Sequence, residues 1–312
     1  MGSKFINTLT LSAVALLCLS VVVRGPNWRR ATGASLHGAS GKLYFVGDPN
    51  ATDDLSPWER IQMGDIASYV SDTPKGLSPG GSVSIVSDPL ATQEKVYKLT
   101  VTPSADFAAY SAKADFVALW NNADPYMGQE GQETWEHFRV LFRSAGESYK
   151  PAPGMWNWVV EHHNDSKYIP FLRSGAIVSE RPELAWGVST TAKLPSGKIG
   201  EELFMVVRGG DDRHSEQLES EVYADSPLLY DHWYDMLVHV IWSHQAQRGL
   251  VEWWLDGKLV TSRQTATLWQ RPDASTDHVN FEFVNYRIHA DWNSSVYFSK
   301  VKIAGTREAV LF

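Results

Sequence analysis

The 312-residue sequence contains little cysteine and no strongly basic run. Its single cysteine, Cys18, excludes a disulfide scaffold and a zinc site built from cysteines. The formal net charge is -8 and no Lys/Arg-rich block is present. Nucleic-acid binding is therefore not expected, because phosphate recognition needs a concentrated basic face. A hydrophobic content of 43% is ordinary for a globular core, which excludes a chain that is disordered throughout.

A hydrophobic segment lies close to the N-terminus. Lys4 precedes the apolar run Leu9–Val23, which is short for a membrane span because a span needs about 20 apolar residues. A basic start followed by such a run is typical of a secretory signal. We therefore predict a signal and processing region over residues 1–34, a linker over 35–42 and export of the protein. An uncleaved membrane anchor is the alternative interpretation.

Strand patterning dominates the rest of the sequence. Helical periodicity is scarce, and one short helix is expected within 57–70. Asp256-Gly257 is the strongest hairpin signal, since a type I′ turn needs positive φ at both central positions. Period-two patterning without a compositional break predicts one all-β domain over 43–312, a sandwich or a barrel. The clearest strand runs are 82–86, 96–101, 137–142, 156–163, 202–207, 236–242, 250–260, 280–288 and 295–305.

The predicted strand around His163 carries candidate chemistry. Neighbouring side chains of a strand point to opposite faces. One face would then carry Asn157, Val159, Glu161 and His163, and the other Trp158, Val160 and His162. Glu161 and His163 would lie within reach of one ligand. A partly exposed polar face explains the same pattern, and two ligands without a clear third make a weak metal site.

Further strands carry candidate substrate ligands. Arg139 alternates with core positions, and it can line a groove or face solvent. Trp254 stands beside Glu252 on a non-core face, where its flat ring can match a sugar ring or be an ordinary half-buried tryptophan. Tyr286 and Arg287 leave their strand on opposite faces unless a bulge intervenes. The 13 Trp, 12 Tyr and 10 His residues favour a carbohydrate ligand, because stacking gives affinity without charge.

Three segments together resemble the heparin lyase I-like polysaccharide lyases, whose jelly-roll members include glucuronan lyases. In the clearest segment, 232–260, the matching positions are Trp233, His239, Trp242-Ser243, Gly249 and Trp254-Leu255-Asp256-Gly257-Lys258. Residues 154–165 are similar to the family strand that ends in Gln-x-His, and residues 285–305 to its Tyr-Arg segment and last strand. The resemblance implies a concanavalin-like β-jelly-roll sandwich of two antiparallel sheets with a concave groove.

The resemblance also implies a polysaccharide lyase that cleaves a uronic-acid polymer by β-elimination. In that reaction a base removes the C5 proton, an acid assists the O4 leaving group, and the substrate carboxylate is neutralised. His163 falls on the motif position of a base or carboxylate ligand, and Tyr286 on that of the proton donor; these are the predicted catalytic residues. The predicted substrate-binding residues are Glu161, Arg139, Arg287, Trp254, His289 and Lys113.

Glu161 departs from the family pattern, which has Gln at this position. An ionised Glu161 would repel a uronate. Either Glu161 is protonated on binding, or a cation screens it, or the substrate carboxylate lies elsewhere; a loss of elimination activity is a further interpretation. Two other functions stay open, a non-catalytic carbohydrate-binding module and a glycoside hydrolase. A hydrolase needs two carboxylates that flank the bond, and the E-x-D-x-E strand of related hydrolases is missing from the sequence.

Few partners are expected for such a protein. The substrate would be an acidic polysaccharide, and no cofactor is required by the chemistry. Calcium at the loop 47–54 is an option, since the loop supplies several oxygens, although a solvated acidic turn is the simpler interpretation. We expect a monomer without a nucleic-acid partner, and without a stable membrane partner once the signal is cleaved.

Overall fold

The computed structural model describes residues 41–52, 54–63, 66–69, 81–90, 93–103, 114–121, 127–154, 157–164, 182–211, 220–270, 279–288 and 290–311. All of them belong to the unit Gly38–Phe312. The predicted signal region, residues 1–34, lies outside the described residues.

Almost all regular structure in the described residues is β-strand. The elements in chain order are β1 (Leu43–Gly47), β2 (Arg60–Met63), β3 (Ile66–Tyr69), β4 (Gly81–Ser87), β5 (Lys95–Val101), β6 (Ala114–Asn121), β7 (Glu133–Phe142), β8 (Asn157–Asn164), β9 (Leu184–Lys193), β10 (Ile199–Val207), β11 (Gly210–Asp211), β12 (Ser220–Pro227), β13 (His232–Ile241), β14 (Leu250–Leu255), β15 (Lys258–Gln264), β16 (Trp269–Gln270), β17 (Val279–Ile288), β18 (Ser294–Phe298), β19 (Val301–Ala304) and α1 (Arg307–Val310). Among the described residues, no helix has the length and apolar character needed to cross a membrane.

Two antiparallel sheets contain most of these strands. Within the described residues, a nine-stranded sheet has the order β15-β14-β13-β7-β18-β5-β4, with β19 beside β7 and β1 beside β19. An eight-stranded sheet, also counted over the described residues, has the order β12-β10-β9-β8-β17-β6-β2-β3. A short parallel pair, β11 and β16, is separate from both. The central pairs of both sheets join strands that are distant in sequence, such as β13 with β7, β7 with β18, β8 with β17 and β17 with β6, so long-range pairing defines the fold.

The two large sheets pack face to face on one hydrophobic core. Phe138 of β7 contacts Phe281 and Phe283 of β17, with ring centroids 5.8 and 5.4 Å apart. Phe283 also stacks on Phe298 of β18 at 4.1 Å. These rings belong to one buried cluster that draws side chains from both sheets. The predicted all-β sandwich of two antiparallel sheets is therefore confirmed.

The Asp256-Gly257 hairpin prediction is confirmed. Leu255 pairs with Lys258 across the β14–β15 turn. Asp256 and Gly257 have φ values of 51° and 74°, which is the pair of positive angles that a type I′ turn needs.

The short helix expected within 57–70 is wrong. β2 and β3 form an antiparallel pair in this segment, and β2 also pairs with β6. Ile61 of β2 is buried in the core. Pairing with β6 satisfies the backbone hydrogen-bonding groups, so tertiary context overrides a weak helical pattern.

An extra residue in β8 changes the predicted alternation of side chains. Trp158 pairs with Gly187 of β9, but Val160 pairs with the preceding Trp186, so Val159 is the extra residue. Val159 and Val160 consequently both pack in the main core. Such a bulge places two successive side chains on one side of the sheet.

The bulge corrects the two faces predicted for β8. Trp158 packs in a separate cluster with Tyr286, on the side of the eight-stranded sheet that points away from the core. We call this side the outer face of the eight-stranded sheet. Glu161 lies on the same face, because it pairs with Ala185 of that cluster, and His163 follows by alternation. Grouping Trp158 with Val160, and Val159 with Glu161, was therefore wrong.

Candidate active site

A row of aromatic side chains crosses the outer face of the eight-stranded sheet. Its register positions on β17, β8, β9, β10 and β12 are Tyr286, Trp158, Gly187, Phe204 and Tyr223. The ring centroids of Trp158 and Phe204 are 5.1 Å apart, and the rings of Phe204 and Tyr223 stack at 5.7 Å. Trp158 and Phe204 are buried, whereas the two tyrosines are partly exposed. This aromatic row is an apolar floor with a phenol at each end.

Gly187 allows the two central rings of the aromatic row to meet. A Cβ atom at this position would lie 2.8 Å from the carbonyl oxygen of Asn157, 2.9 Å from Trp158 Cε3 and 3.2 Å from Phe204 Cε1. The carbonyl belongs to the backbone of the neighbouring strand, so it has little freedom to move. A glycine is therefore needed for this close approach.

We expect Gly187→Ala to lower the free energy of unfolding by about 1–3 kcal/mol, the usual cost of overpacking a tight site. Equilibrium denaturation measures the effect. Gly41→Ala is the control, because a Cβ there would meet only Thr306 Oγ1, at 3.9 Å. Equal stability of the two variants would contradict the proposed packing role of Gly187.

Charged groups lie beside the aromatic row. Glu161 and Arg208 are 3% and 5% exposed. The Arg208 guanidinium lies 5.7 Å from the Trp158 ring and donates a hydrogen bond to the Pro182 carbonyl at 3.1 Å. Burial raises the pKa of Glu161 above its usual value, while the positive charges of His163 and Arg208 partly oppose that rise. The protonated form of Glu161 is thus favoured relative to an exposed glutamate.

Tyr286 is the ionisable member of the aromatic row next to Glu161. Burial, assisted by the negative charge of Glu161, raises the pKa of Tyr286 to about 12. The phenol therefore stays protonated around neutral pH and is suited to donating a proton. We take Tyr286, Glu161, Arg208 and the aromatic row as the candidate site.

The strand register separates His163 from Tyr286. His163 pairs with Asn280 and Trp158 pairs with Tyr286, so the two positions are six residues apart along β17. The bulge at Val159 and the register shift between Phe283 and Tyr286 shorten this stretch: on β9, the partners of Trp158 and His162 are only three residues apart, or about 10 Å at about 3.3 Å per residue. The two predicted catalytic residues share a face of one sheet, but they lie at different points of it, with Glu161 between them.

The structure does not bring Arg139 or Trp254 to the candidate site. Both lie on the outer face of the nine-stranded sheet, on the other side of the core from Tyr286. Arg139 donates to Glu94 at 2.6 Å. Trp254 stacks on Trp135 at 5.7 Å and packs against the cluster that contains Val310 of α1. A ligand at Tyr286 cannot touch either residue, so their prediction as parts of one substrate site with Tyr286 is corrected.

Arg287 points away from the candidate site as well. Tyr286 packs on the outer face, whereas Arg287 is 1% exposed and donates hydrogen bonds to the carbonyl oxygens of Lys150, at 2.8 Å, and Trp292. The opposite orientations predicted for these neighbours are confirmed, and the position of Arg287 corrects its prediction as a substrate ligand of this site. The remaining two candidates, His289 and Lys113, lie outside the described residues.

Arg208 was missed by the sequence analysis. It directly follows the predicted strand 202–207, and a cation at the end of a buried strand is the one local signal for it. Only the neighbouring arrangement of β10, β9 and β8 places Arg208 over Trp158.

The loop 47–54 uses its polar groups to form its own turns. Asp48 accepts hydrogen bonds from the backbone and side chain of Asn50, and Asp54 accepts one from the backbone of Ser56. Within the described ranges, no group of three or more His, Cys, Asp or Glu side chains is arranged to hold a metal ion. Calcium binding stays a prediction.

Comparison with known proteins identifies the family to which this chain belongs. Residues 50–302 match the family model described as polysaccharide lyase. The chain belongs to the polysaccharide lyase family. No curated protein has a matching sequence.

Several solved structures are similar to this chain. The endo-β-1,4-glucuronan lyase of the fungus Trichoderma reesei has a TM-score of 0.59 and 15% identity, over 86% of this chain and 98% of that chain. The cellulose-induced protein Cip1 has a TM-score of 0.45 and 11% identity, over 84% and 97% of the two chains. Alginate lyase AlyC3 in complex with dimannuronate has a TM-score of 0.48 and 8% identity, over 84% of this chain and 96% of that chain. The likeness to the glucuronan lyase confirms the predicted jelly-roll fold for this polysaccharide lyase.

Proposed function

We propose that this polysaccharide lyase cleaves a uronic-acid polymer by β-elimination at the candidate site. The observation that carries the proposal is Tyr286, a partly exposed phenol that stays protonated at the end of an apolar floor. A glucuronan lyase shares the fold, which supports a uronate as the substrate. The expected product has a C4=C5 double bond in the uronate ring.

Tyr286 is assigned to the leaving group. When the neutral imidazole of His163 accepts the C5 proton, the electron pair of the C5–H bond forms the C4=C5 bond and the C4–O4 bond breaks. The departing O4 needs a proton, which the Tyr286 hydroxyl supplies, and the released sugar then carries a hydroxyl at its new reducing end. Proton donation by a positioned acid of this kind typically contributes 10²–10⁴-fold to a rate.

Glu161 is assigned to the substrate carboxylate. Its buried position favours the protonated form, whose O–H can donate a hydrogen bond to a uronate as the amide of a Gln would. Arg208 adds positive charge near Glu161. Neutralising the substrate carboxylate lowers the cost of developing negative charge at C5.

His163 is assigned to the base that accepts the C5 proton. It lies on the same face as Tyr286, with Glu161 between them, and the irregularities of β8 and β17 shorten the stretch of sheet that separates the two. A neutral imidazole beside Glu161 can take the proton from C5 while the phenol of Tyr286 gives one to O4.

Glu161→Gln should remove the alkaline fall of activity. A raised pKa means that wild-type Glu161 is neutral below that value and ionises above it, so turnover should decrease as pH rises through it. The variant keeps a neutral donor throughout, and at low pH it should stay within about tenfold of wild type. The measurement is the initial rate of unsaturated uronate formation on glucuronan between about pH 4 and pH 9.

Glu221→Gln is the matched control for this pH profile. Glu221 is exposed and accepts a hydrogen bond from Tyr223 at 3.1 Å, at the far end of the aromatic row. Its replacement should leave the profile unchanged. Loss of turnover in Glu161→Gln at every pH would contradict the assignment, because it would make the ionised carboxylate the essential form.

A glycoside hydrolase is the second candidate, favoured by one observation. Glu161 pairs in register with Glu282, and both are buried on neighbouring strands, so two carboxylates lie close together. Digestion of glucuronan separates the functions. Growth of ultraviolet absorbance from the unsaturated uronate supports elimination, new reducing ends without it indicate hydrolysis, and binding without either product indicates a carbohydrate-binding module.

Export of the protein, a monomeric state and independence from metal ions stay predictions from the sequence. A polymeric substrate fits an exported enzyme, since a polysaccharide is cleaved outside the cell before its fragments are taken up. These properties do not alter the assignments of Tyr286 and Glu161.

A further inference from the structure

A cavity of about 310 Å³ lies on the outer face of the nine-stranded sheet. It is bounded by β5, β18 and the segments that precede β8 and β18, and its lining includes Thr100, Lys150, Asn293 and Ser295. Its size is at the lower end of the range for small-molecule sites. Because the hydrophobic core separates it from the candidate site, a ligand here would be independent of Tyr286.

The lining of this cavity is polar. The hydroxyl groups of Thr100 and Ser295 share a hydrogen bond of 2.7 Å, and Asn293 and Lys150 are further polar residues of the lining. Glu147 at the rim accepts both of its 2.8 Å bonds from Lys98. Because Lys98, outside the lining, neutralises Glu147, the charge of Lys150 favours an anionic ligand over a cationic one.

Trp292 lies beside the cavity and is hydrogen-bonded to one of its lining residues. Trp292 is 37% exposed, and its Nε1 donates to the carbonyl oxygen of Lys150 at 3.2 Å. The same carbonyl accepts a bond from Arg287, whose guanidinium lies 5.6 Å from the Trp292 ring. The indole and Arg287 thus share the Lys150 carbonyl as acceptor, which positions Trp292 at the wall of the cavity.

We propose that Trp292 and this cavity form a second carbohydrate-binding site, specific for an acidic saccharide. The exposed indole offers a flat apolar surface for a sugar ring. Thr100, Asn293 and Ser295 offer donors and acceptors for sugar hydroxyls. Lys150 offers a cation for a carboxylate. The choice of a uronate as the acidic sugar rests on the proposed function, whereas the tryptophan and the hydroxyl groups favour a saccharide without it.

The site is tested with a tetrasaccharide of β-1,4-linked glucuronate, and with cellotetraose as its neutral counterpart. Each sugar is titrated into ¹⁵N-labelled protein carrying Tyr286→Phe, and the NMR signal of the Trp292 indole N–H is followed. This signal is assigned as the one that disappears in the variant Trp292→Phe. We expect a saturable shift with the acidic tetrasaccharide. Lys150→Gln should weaken that binding about fivefold, the scale of one exposed ion pair, and should leave cellotetraose binding unchanged.

Lys258→Gln is the control, because it removes the same charge from the exposed first residue of β15. It should leave both affinities unchanged. A Trp292 signal that does not move with either sugar overturns the site, even where elimination is observed. Equal affinity for the two sugars overturns its preference for an acidic saccharide. A specific shift, together with no elimination by the protein that keeps Tyr286, supports the site while rejecting the proposed function.

Discussion

Tyr286→Phe should lower the turnover of glucuronan by about 10²–10⁴-fold, the usual contribution of a positioned general acid. The change removes the hydroxyl group and keeps the ring that packs with Trp158 and Val284. We expect this loss of turnover in a variant that still folds, because the pKa of about 12 keeps the wild-type phenol protonated and able to donate a proton. The measurement is the rate of unsaturated uronate formation, with circular dichroism to verify folding.

Tyr223→Phe supplies the comparison within the same surface. Tyr223 stands at the other end of the aromatic row, and its hydroxyl donates to Glu221 at 3.1 Å. Burial also raises its pKa to about 12, so the two variants remove similar hydroxyls from different positions. Turnover in Tyr223→Phe should stay within about fivefold of wild type. Near-normal turnover in Tyr286→Phe, or equal losses in both variants, would reject Tyr286 as the proton donor.

Removing either member of the His162–Glu136 pair should lower the free energy of unfolding by about 3–5 kcal/mol. His162 Nε2 lies 2.8 and 3.0 Å from the two carboxylate oxygens of Glu136, and both side chains are 0% exposed. The histidine belongs to β8 and the glutamate to β7, so the pair joins the two sheets through the core. Either single alanine variant would leave a buried polar or charged group without compensation.

The double variant His162→Leu/Glu136→Leu should lose less stability than the sum of the two alanine variants, because no unpaired charge remains. An exposed pair provides the reference. His232 and Asp256 are also 2.8 Å apart, but each is 40% exposed, so His232→Ala should cost at most about 1 kcal/mol. Urea denaturation measures all four variants. Strictly additive losses, or a cost at His162 no larger than that at His232, would contradict the role of the buried pair.

The strand content of this protein could be read from local patterns. Val251, Trp253 and Leu255 alternate with Glu252 and Trp254, and the structure places the first three in the core, as predicted. The opposite orientations of Tyr286 and Arg287 were predictable for the same reason. Side-chain alternation is a property of the backbone itself, so it needs no knowledge of which strand lies alongside.

The candidate site was only partly predictable. The resemblance of motifs pointed to Tyr286, Glu161 and His163, and the structure places them on one face of one sheet. Their spacing along that face depends on the pairing register of β8 with β17, which local sequence does not specify. Arg208 lacked any motif, because its place over Trp158 depends on β9 lying between β8 and β10.

The amino-acid sequence alone was sufficient for the all-β class, the Asp256-Gly257 turn and the polysaccharide lyase resemblance, since these depend on residue types at short spacings. Tertiary structure alone decided the bulge at Val159, the assignment of Arg139 and Trp254 to the other sheet, and the use of Arg287 as a tie between two carbonyl groups. The physical reason is that a strand's own pattern defines its two faces. Which faces meet, and at which register, depends on hydrogen bonds and packing between residues far apart in the chain.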